Sequence, residues 1–353
     1  MSKVLMKGNE AVGAAAIKAG CKFFFGYPIT PSSEIPEYIS KALPEAGGVF
    51  LQAESEIAAI NMVYGAGGAG ARCMTASSSP GISLKQEGIT YIAGAEIPCV
   101  IVNMMRGGPG LGSIQPSQAD YYQSTRGGGN GDYRTLCYAP SSIQELVDYV
   151  MLAFDKADYY RNPVLIAADG MIGQIMEAVE FKDPEPIDLP PKDWATTGTG
   201  GKRKPNVVNS LYLQAEELQE HNKNLEAKYK KMEENEVVYE AFGLEDAEVV
   251  CVAYGTTSRI VKTAIKQAQA KGIKVGMIRP ISLWPYPYDA FKKIGDKAKG
   301  ILAVEMSQGQ MVDDVKIGIA GRLPVYFNGT QGGMVPTPGS ILADIEKIAG
   351  GAK

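Results

Sequence analysis

"FFFGYPITPSSE", residues 23–34, drives three phenylalanines into a loop that carries two prolines and a block of hydroxyls. An apolar run this short, closed by turn residues, reads as a buried strand. The next stretch, "SEIPEYISKAL" (33–43), spaces its apolar residues as a helix does. The same alternation extends both ways. Upstream, "AVGAAAIKAG" (11–20) predicts a helix ending at Gly20. Downstream, the apolar runs at 48–53, 71–77, 98–105 and 163–169 predict strands, and the segments 56–70, 83–94 and 142–160 between them predict helices. Short apolar strands separated by helices imply a parallel sheet covered on both faces, an α/β domain over residues 1–180.

Residues 181–206 carry five prolines and a glycine cluster with little periodicity, the composition of a linker. A charged segment at about 210–237 follows with helical spacing, so 181–245 reads as linker plus a helix showing one face to water. From 246 the alternation resumes with four apolar runs, "VVCV", "KVGMIRP", "GILAVEM" and "PVYFNG", a second and smaller α/β unit over 246–353. Two domains suit a chain of 353 residues.

Composition removes several classes of function. The net charge is −4 and no Lys/Arg block is large enough for a nucleic-acid surface. No run approaches the ~18 apolar residues of a membrane span, and "MSKVLMKGNEAVG" lacks the apolar core of a secretory signal, so a cytoplasmic protein is expected. The five cysteines form no C-x-x-C pair, which leaves no local zinc or iron–sulfur site and predicts buried thiols. The single histidine, His221, lies in the charged segment, so triads and H-E-x-x-H chemistry are absent. Another group must move protons.

In an open parallel sheet, ligands bind beyond the carboxyl ends of the strands. Pro28 and Pro31 stiffen the loop there and hold Thr30, Ser32 and Ser33; one of the serines is expected to cap the following helix. Arg106 follows seven nearly apolar residues, a position suited either to a carboxylate clamp or to a structural ion pair. Glu56 opens a helix on the face of Ala59, Ile60 and Val63, which predicts a desolvated carboxyl; a cap or ion-pair role is equally open to it. Glu54 points elsewhere. The glycine loops "RGGPGLGS" (106–113) and "TRGGGNGD" (125–132) match neither G-x-G-x-x-G nor a P-loop, and read as flexible covers.

The residues "GYPITPSSEIPEY", "LQAESEIAAINMVYGAGGAGA", "ASSSPGISLKQEGITYIAGAEIPCVIVNMMRGGPGLGSIQPSQADY", "GGGNGDYR" and "RPISLWPYP" together resemble the α subunit of 2-oxoacid:ferredoxin oxidoreductases. The likeness is closest to the branched-chain type acting on 3-methyl-2-oxobutanoate (2-ketoisovalerate), and covers nearly the whole chain. It implies a thiamine diphosphate pyrimidine-binding domain followed by a transketolase C-terminal-like domain. It further implies that Glu56 contacts the aminopyrimidine ring, that Ile29, Ser79 and Pro80 line the cofactor, and that Thr30 and Arg106 meet the 2-oxoacid. The cofactor then serves as its own base, which fits a chain almost without histidine.

The family's diphosphate signature is missing: "AADGMIGQ" (167–174) comes nearest, and no asparagine follows until Asn206. Mg2+ and the diphosphate are therefore expected on a thiamine-diphosphate β subunit. [4Fe–4S] clusters are expected on a ferredoxin-like subunit beside a γ subunit, with coenzyme A as co-substrate and an external ferredoxin as acceptor, in a dimer of heteromers. An exposed apolar surface should mark the contact with the β subunit. Two alternatives stay open: 2-oxoglutarate or pyruvate as substrate, with Arg126 the nearest candidate for a second carboxylate, and a non-catalytic scaffold.

Overall fold

In the computed structural model, which describes residues 3–183 and 185–351, seven strands form the larger sheet. Their order is Ser282–Trp284, Leu136–Tyr138, Pro163–Asp169, Cys99–Met105, Cys73–Ser77, Phe23–Gly26, Val49–Gln52. All are parallel except the edge strand Ser282–Trp284. Strands 73–77, 99–105 and 163–169 are buried at every position, which is why they read as unbroken apolar runs.

Each face of this sheet has its own cover. Phe24, Met74, Val100 and Val102 pack with helices Gly8–Lys18, Glu34–Glu45 and Ile143–Tyr160. Phe25, Cys73 and Ile101 pack with helices Glu56–Gly68 and Ser79–Gly94, in an apolar cluster that continues into the second unit through Tyr254 and Phe291. The alternation along strand 73–77 therefore aims Thr75 and Ser77 at helices 56–68 and 79–94.

The second sheet runs Val325–Gly329, Gly300–Glu305, Val249–Val252, Val275–Pro280, Tyr239–Phe242. Four of its strands are the expected ones; the fifth, Tyr239–Phe242, is an antiparallel edge lying before residue 246. Another short piece, Ser282–Trp284, leaves this unit and pairs with Leu136–Tyr138 of the larger sheet. Strands of three or four residues carry too little period to separate from loop.

The units are also tied by buried polar bonds. Gln118 Nε2 donates to the Tyr254 carbonyl at 3.0 Å, and its Oε1 accepts from Thr257 Oγ1 at 2.8 Å and the Met306 amide at 3.0 Å. Arg279, 4% exposed, donates to Glu145 and Glu240. Helix Ala215–Asn235 buries Leu225, Tyr229 and Met232, one stripe of an otherwise exposed element, near Tyr160 and Trp284. On it, His221 stacks on Tyr212 and hydrogen-bonds the Gly94 carbonyl at 2.7 Å. All five cysteines are buried and free. No helix among the described residues is long and apolar enough to cross a membrane.

Candidate functional site

Four strands deliver loops to the carboxyl edge of the larger sheet. After Phe23–Gly26 the chain turns so that the Ile29 carbonyl accepts from the Ser32 amide at 2.9 Å and the Ser32 hydroxyl at 2.8 Å. Neither serine caps the next helix, contrary to expectation: Ser32 is spent on this turn, and Ser33 already has helical backbone angles with no side-chain bond to the helix. Ile29 is half-buried and Thr30 exposed. Thr30 lines a cleft of about 490 Å³ with Glu34, Ile114, Met171 and Gln174.

Strand Cys73–Ser77 passes through Ser78 directly into helix Ser79–Gly94, so Ser79 and Pro80 stand in its first turn. Pro80 sits half-buried in that turn, where its missing N–H costs nothing. The Ser79 hydroxyl donates to Asp120 Oδ2 at 2.6 Å and accepts from the Arg106 amide at 2.9 Å. Asn103 supports both partners, accepting from the Ser79 amide at 3.0 Å and donating to Asp120 Oδ2 at 2.9 Å. Burial pushes the Asp120 carboxyl up, against these two side-chain hydrogen bonds. Asn103 and Asp120 were missed from sequence; an asparagine inside "CVIVNMM" is the signal that could have found them.

Arg106 is 7% exposed and pairs with no carboxylate among the described residues. Its Nη1 donates to the Thr30 carbonyl at 2.8 Å and its Nη2 to the Leu111 carbonyl at 2.9 Å. The guanidinium thus staples two loops at the sheet edge and keeps its charge uncompensated. The ion-pair alternative is not what the structure contains.

Glu56 begins helix Glu56–Gly68 but does not cap it; Ser55 does, accepting from the Ala58 amide at 3.2 Å. The Glu56 side chain is 6% exposed, beside fully buried Ala59, Ile60 and Val63, as the spacing predicts. Among the described residues it makes no hydrogen bond and no ion pair. A Cβ at Gly81 would lie 2.8 Å from Glu56 Oε1 and 2.1 Å from Ser77 Oγ, so only glycine lets the two helices close there. Behind Glu56 stands Lys85, wholly enclosed, its Nζ without a hydrogen-bond partner. Burial pushes this ammonium down to about 8, while the Glu56 charge pulls it back up.

The structure brings Thr30, Arg106 and Ser79 together by hydrogen bonds, and sets Glu56 against Gly81 one half-turn further along the same helix. No hydrogen bond joins Glu56 to Thr30 or Arg106. Glu54 is exposed. Ile57, Leu84 and Tyr91, on the two helices that carry Glu56 and Lys85, are all exposed.

Other candidates are committed elsewhere. Arg126 is exposed and paired: its two Nη atoms donate to Asp314 at 3.0 and 3.1 Å, and Tyr121 and Tyr288 donate to the same carboxylate. Asp169 of "AADGMIGQ" caps helix Gly170–Gln174, accepting from the amides of Met171 at 3.0 Å and Ile172 at 3.2 Å and from the Thr256 hydroxyl. The glycine loop at 127–131 is docked rather than loose: Gly128 and Gly129 lie too close to Gln86 and Thr90 to admit a Cβ.

A partnerless buried carboxyl beside a glycine cradle, rimmed by exposed apolar side chains, fits an aromatic ring that needs one carboxyl on a ring nitrogen. Residues 14–241 match the model of the pyruvate flavodoxin/ferredoxin oxidoreductase family, thiamine diphosphate-binding, and residues 247–341 match pyruvate:ferredoxin oxidoreductase core domain II. The chain belongs to this oxidoreductase family. It is 50% identical over 350 residues to the ketoisovalerate oxidoreductase subunit VorB of Methanothermobacter marburgensis, covering 99% of both chains.

The fold is similar to that of 2-oxoglutarate:ferredoxin oxidoreductase from Magnetococcus marinus, solved with 2-oxoglutarate, coenzyme A and succinyl-CoA bound. The TM-score is 0.86 at 25% identity, with 99% of this chain and 65% of that longer chain covered. A split-gene transketolase, at 14% identity and a TM-score of 0.59 over 99% of both chains, shares the fold alone. The α/β class is therefore that of a thiamine diphosphate pyrimidine-binding domain followed by a transketolase C-terminal-like domain.

Proposed function

We propose that this chain is the α subunit of an enzyme that oxidatively decarboxylates 3-methyl-2-oxobutanoate to acyl-CoA and CO2, reducing ferredoxin. The observation that carries the proposal is the buried, partnerless Glu56 at an apolar rim. It stands in a chain half identical along its whole length to a ketoisovalerate oxidoreductase subunit.

Thiamine diphosphate, when bound, supplies the electron sink for decarboxylation. Glu56 holds a proton at the pyrimidine nitrogen, and its burial makes that single hydrogen bond strong. Ile29, Ser79 and Pro80 line the ring, Ser79 fixed by Asp120 and Asn103. Arg106, with no carboxylate of its own, clamps the carboxylate of the 2-oxoacid, and Thr30 donates to the substrate's oxygens.

Residues 1–180, 181–245 and 246–353 are the working divisions of this reading. The exposed Ile57, Leu84 and Tyr91 support a contact with a thiamine-diphosphate β subunit, which would bring Mg2+ and hold the diphosphate. A ferredoxin-like subunit with [4Fe–4S] clusters, a γ subunit, an external ferredoxin, a dimer of heteromers and a cytoplasmic location complete the proposal. Arg126, held by Asp314, gives no support to a second-carboxylate site, which favours the branched-chain acid over 2-oxoglutarate. The test is a 2-oxoacid panel with a viologen acceptor on the co-purified complex, wild type and Glu56→Gln. Activity greatest on 3-methyl-2-oxobutanoate and abolished by the substitution is expected; near-full activity of the variant would make the chain a scaffold.

A further inference from the structure

On helix Ser79–Gly94, positions 81, 85 and 88 fall on one face. Both glycines press on helix Glu56–Gly68: a Cβ at Gly81 would lie 2.8 Å from Glu56 Oε1, and one at Gly88 would lie 2.4 Å from Ile60 Cγ2. Lys85 therefore enters the seam between the helices where they approach most closely. Helical side chains lean toward the N-terminus of their own helix. That direction leads the ammonium to the sheet edge, where Glu56 starts its helix.

Among the described residues, none accepts a hydrogen bond from the ammonium. Lys85 is 0% exposed, its Nζ has no hydrogen-bond partner, and no ion pair joins it to Glu56. The hydroxyls of Thr75 and Ser77, which strand Cys73–Ser77 aims at the same helices, are also unpartnered. Fully enclosed lysines are rare because burying an unpaired ammonium is unfavourable. A methionine, one atom shorter, would fill most of the space without that penalty.

We propose that Lys85 is a positioning residue for Glu56: enclosed behind the carboxyl, its ammonium compensates the carboxylate charge, so that Glu56 meets the cofactor ring as a hydrogen-bond acceptor. This rests on the function proposed above. Without the lysine charge, a buried carboxylate stands alone, which is unfavourable. The bond to the ring then becomes neutral–neutral, about half as strong as a charge-assisted one. Burial lowers the value of the ammonium, and the Glu56 charge raises it back in part, as a neighbouring carboxylate does.

A double-mutant cycle on the assembled complex tests this, reading thiamine diphosphate affinity by equilibrium dialysis in the presence of Mg2+. Lys85→Met is expected to weaken binding about tenfold in the wild-type background and less than about twofold when Glu56→Gln is already present. Lys85→Arg keeps the charge and is expected to stay within about threefold of wild type. Should Lys85→Met fail to assemble, Lys85→Gln carries the same comparison. Unchanged affinity in Lys85→Met, or equal losses in both backgrounds, overturns the role of Lys85 alone. Unchanged affinity in Glu56→Gln removes the proposed function as well, so the two failures are distinguishable.

Discussion

Gly81→Ala places a methyl group directly against the Glu56 side chain. Its carbon would stand 2.1 Å from Ser77 Oγ, 2.8 Å from Glu56 Oε1 and 3.0 Å from Glu56 Cγ. The Ser77 hydroxyl has no partner to lose and can rotate away. The Glu56 carboxyl must retreat by about 0.6 Å before Oε1 reaches ordinary contact at 3.4 Å. A misplacement of about 1 Å in a positioned group costs about 10²-fold in rate, so a shift of this size predicts a loss of roughly tenfold to fiftyfold.

Gly88→Ala is the matched control. It overpacks the same seam two turns further along, where the atoms nearest its Cβ would be those of Ile60, at 2.4 and 2.7 Å. Both variants should lose about 1–3 kcal/mol of stability. Only Gly81→Ala should lose kcat/KM for 3-methyl-2-oxobutanoate beyond that. The assay is viologen reduction by the assembled complex, beside urea unfolding of each variant. Equal kinetic losses in the two variants, or none in Gly81→Ala, would refute the placement of Glu56 at the reacting centre.

Arg106→Lys replaces a fork that reaches two loops with a single ammonium, so KM for the 2-oxoacid should rise about tenfold or more with a smaller change in kcat; an unchanged KM counts against the clamp. Arg126→Met should leave the ratio of activities on 2-oxoglutarate and 3-methyl-2-oxobutanoate unchanged, because Arg126 serves Asp314; a selective fall on 2-oxoglutarate would restore it as a substrate residue. Lys85 also predicts a pH effect on stability. Burial lowers its value from 10.5 to about 8. Between those values the unfolded chain binds more protons, so the penalty is full below about pH 8 and gone above about 10.5. The stability of wild type should therefore rise by up to about 3 kcal/mol relative to Lys85→Met across that window. The buried thiols, raised by burial, act in the opposite sense in both proteins, so the difference between the two unfolding curves isolates the lysine.

The parallel core was legible in sequence because strands buried on both faces must be apolar throughout, and helices must separate them. The short strands Leu136–Tyr138, Ser282–Trp284 and Tyr239–Phe242 were not, since their pairing is set by distant partners rather than by their own composition. Glu56 was legible because its helical spacing from Ala59, Ile60 and Val63 forecasts burial. Lys85 was hidden by its type: in "SLKQEGITYIAG" a lysine reads as a solvated position. Its register with Gly81 and Gly88 was the available clue, because a face of two glycines marks close helix packing. The caps failed for a local reason, Ser32 having a nearer acceptor in the Ile29 carbonyl.

The most direct measurement is a structure of the assembled complex with thiamine diphosphate bound. A Glu56 carboxyl oxygen within about 2.6–3.0 Å of a pyrimidine nitrogen, with another subunit closing over Ile57, Leu84 and Tyr91, is the predicted result. A pyrimidine ring seated away from Glu56, with that side chain still enclosed and partnerless, would contradict it.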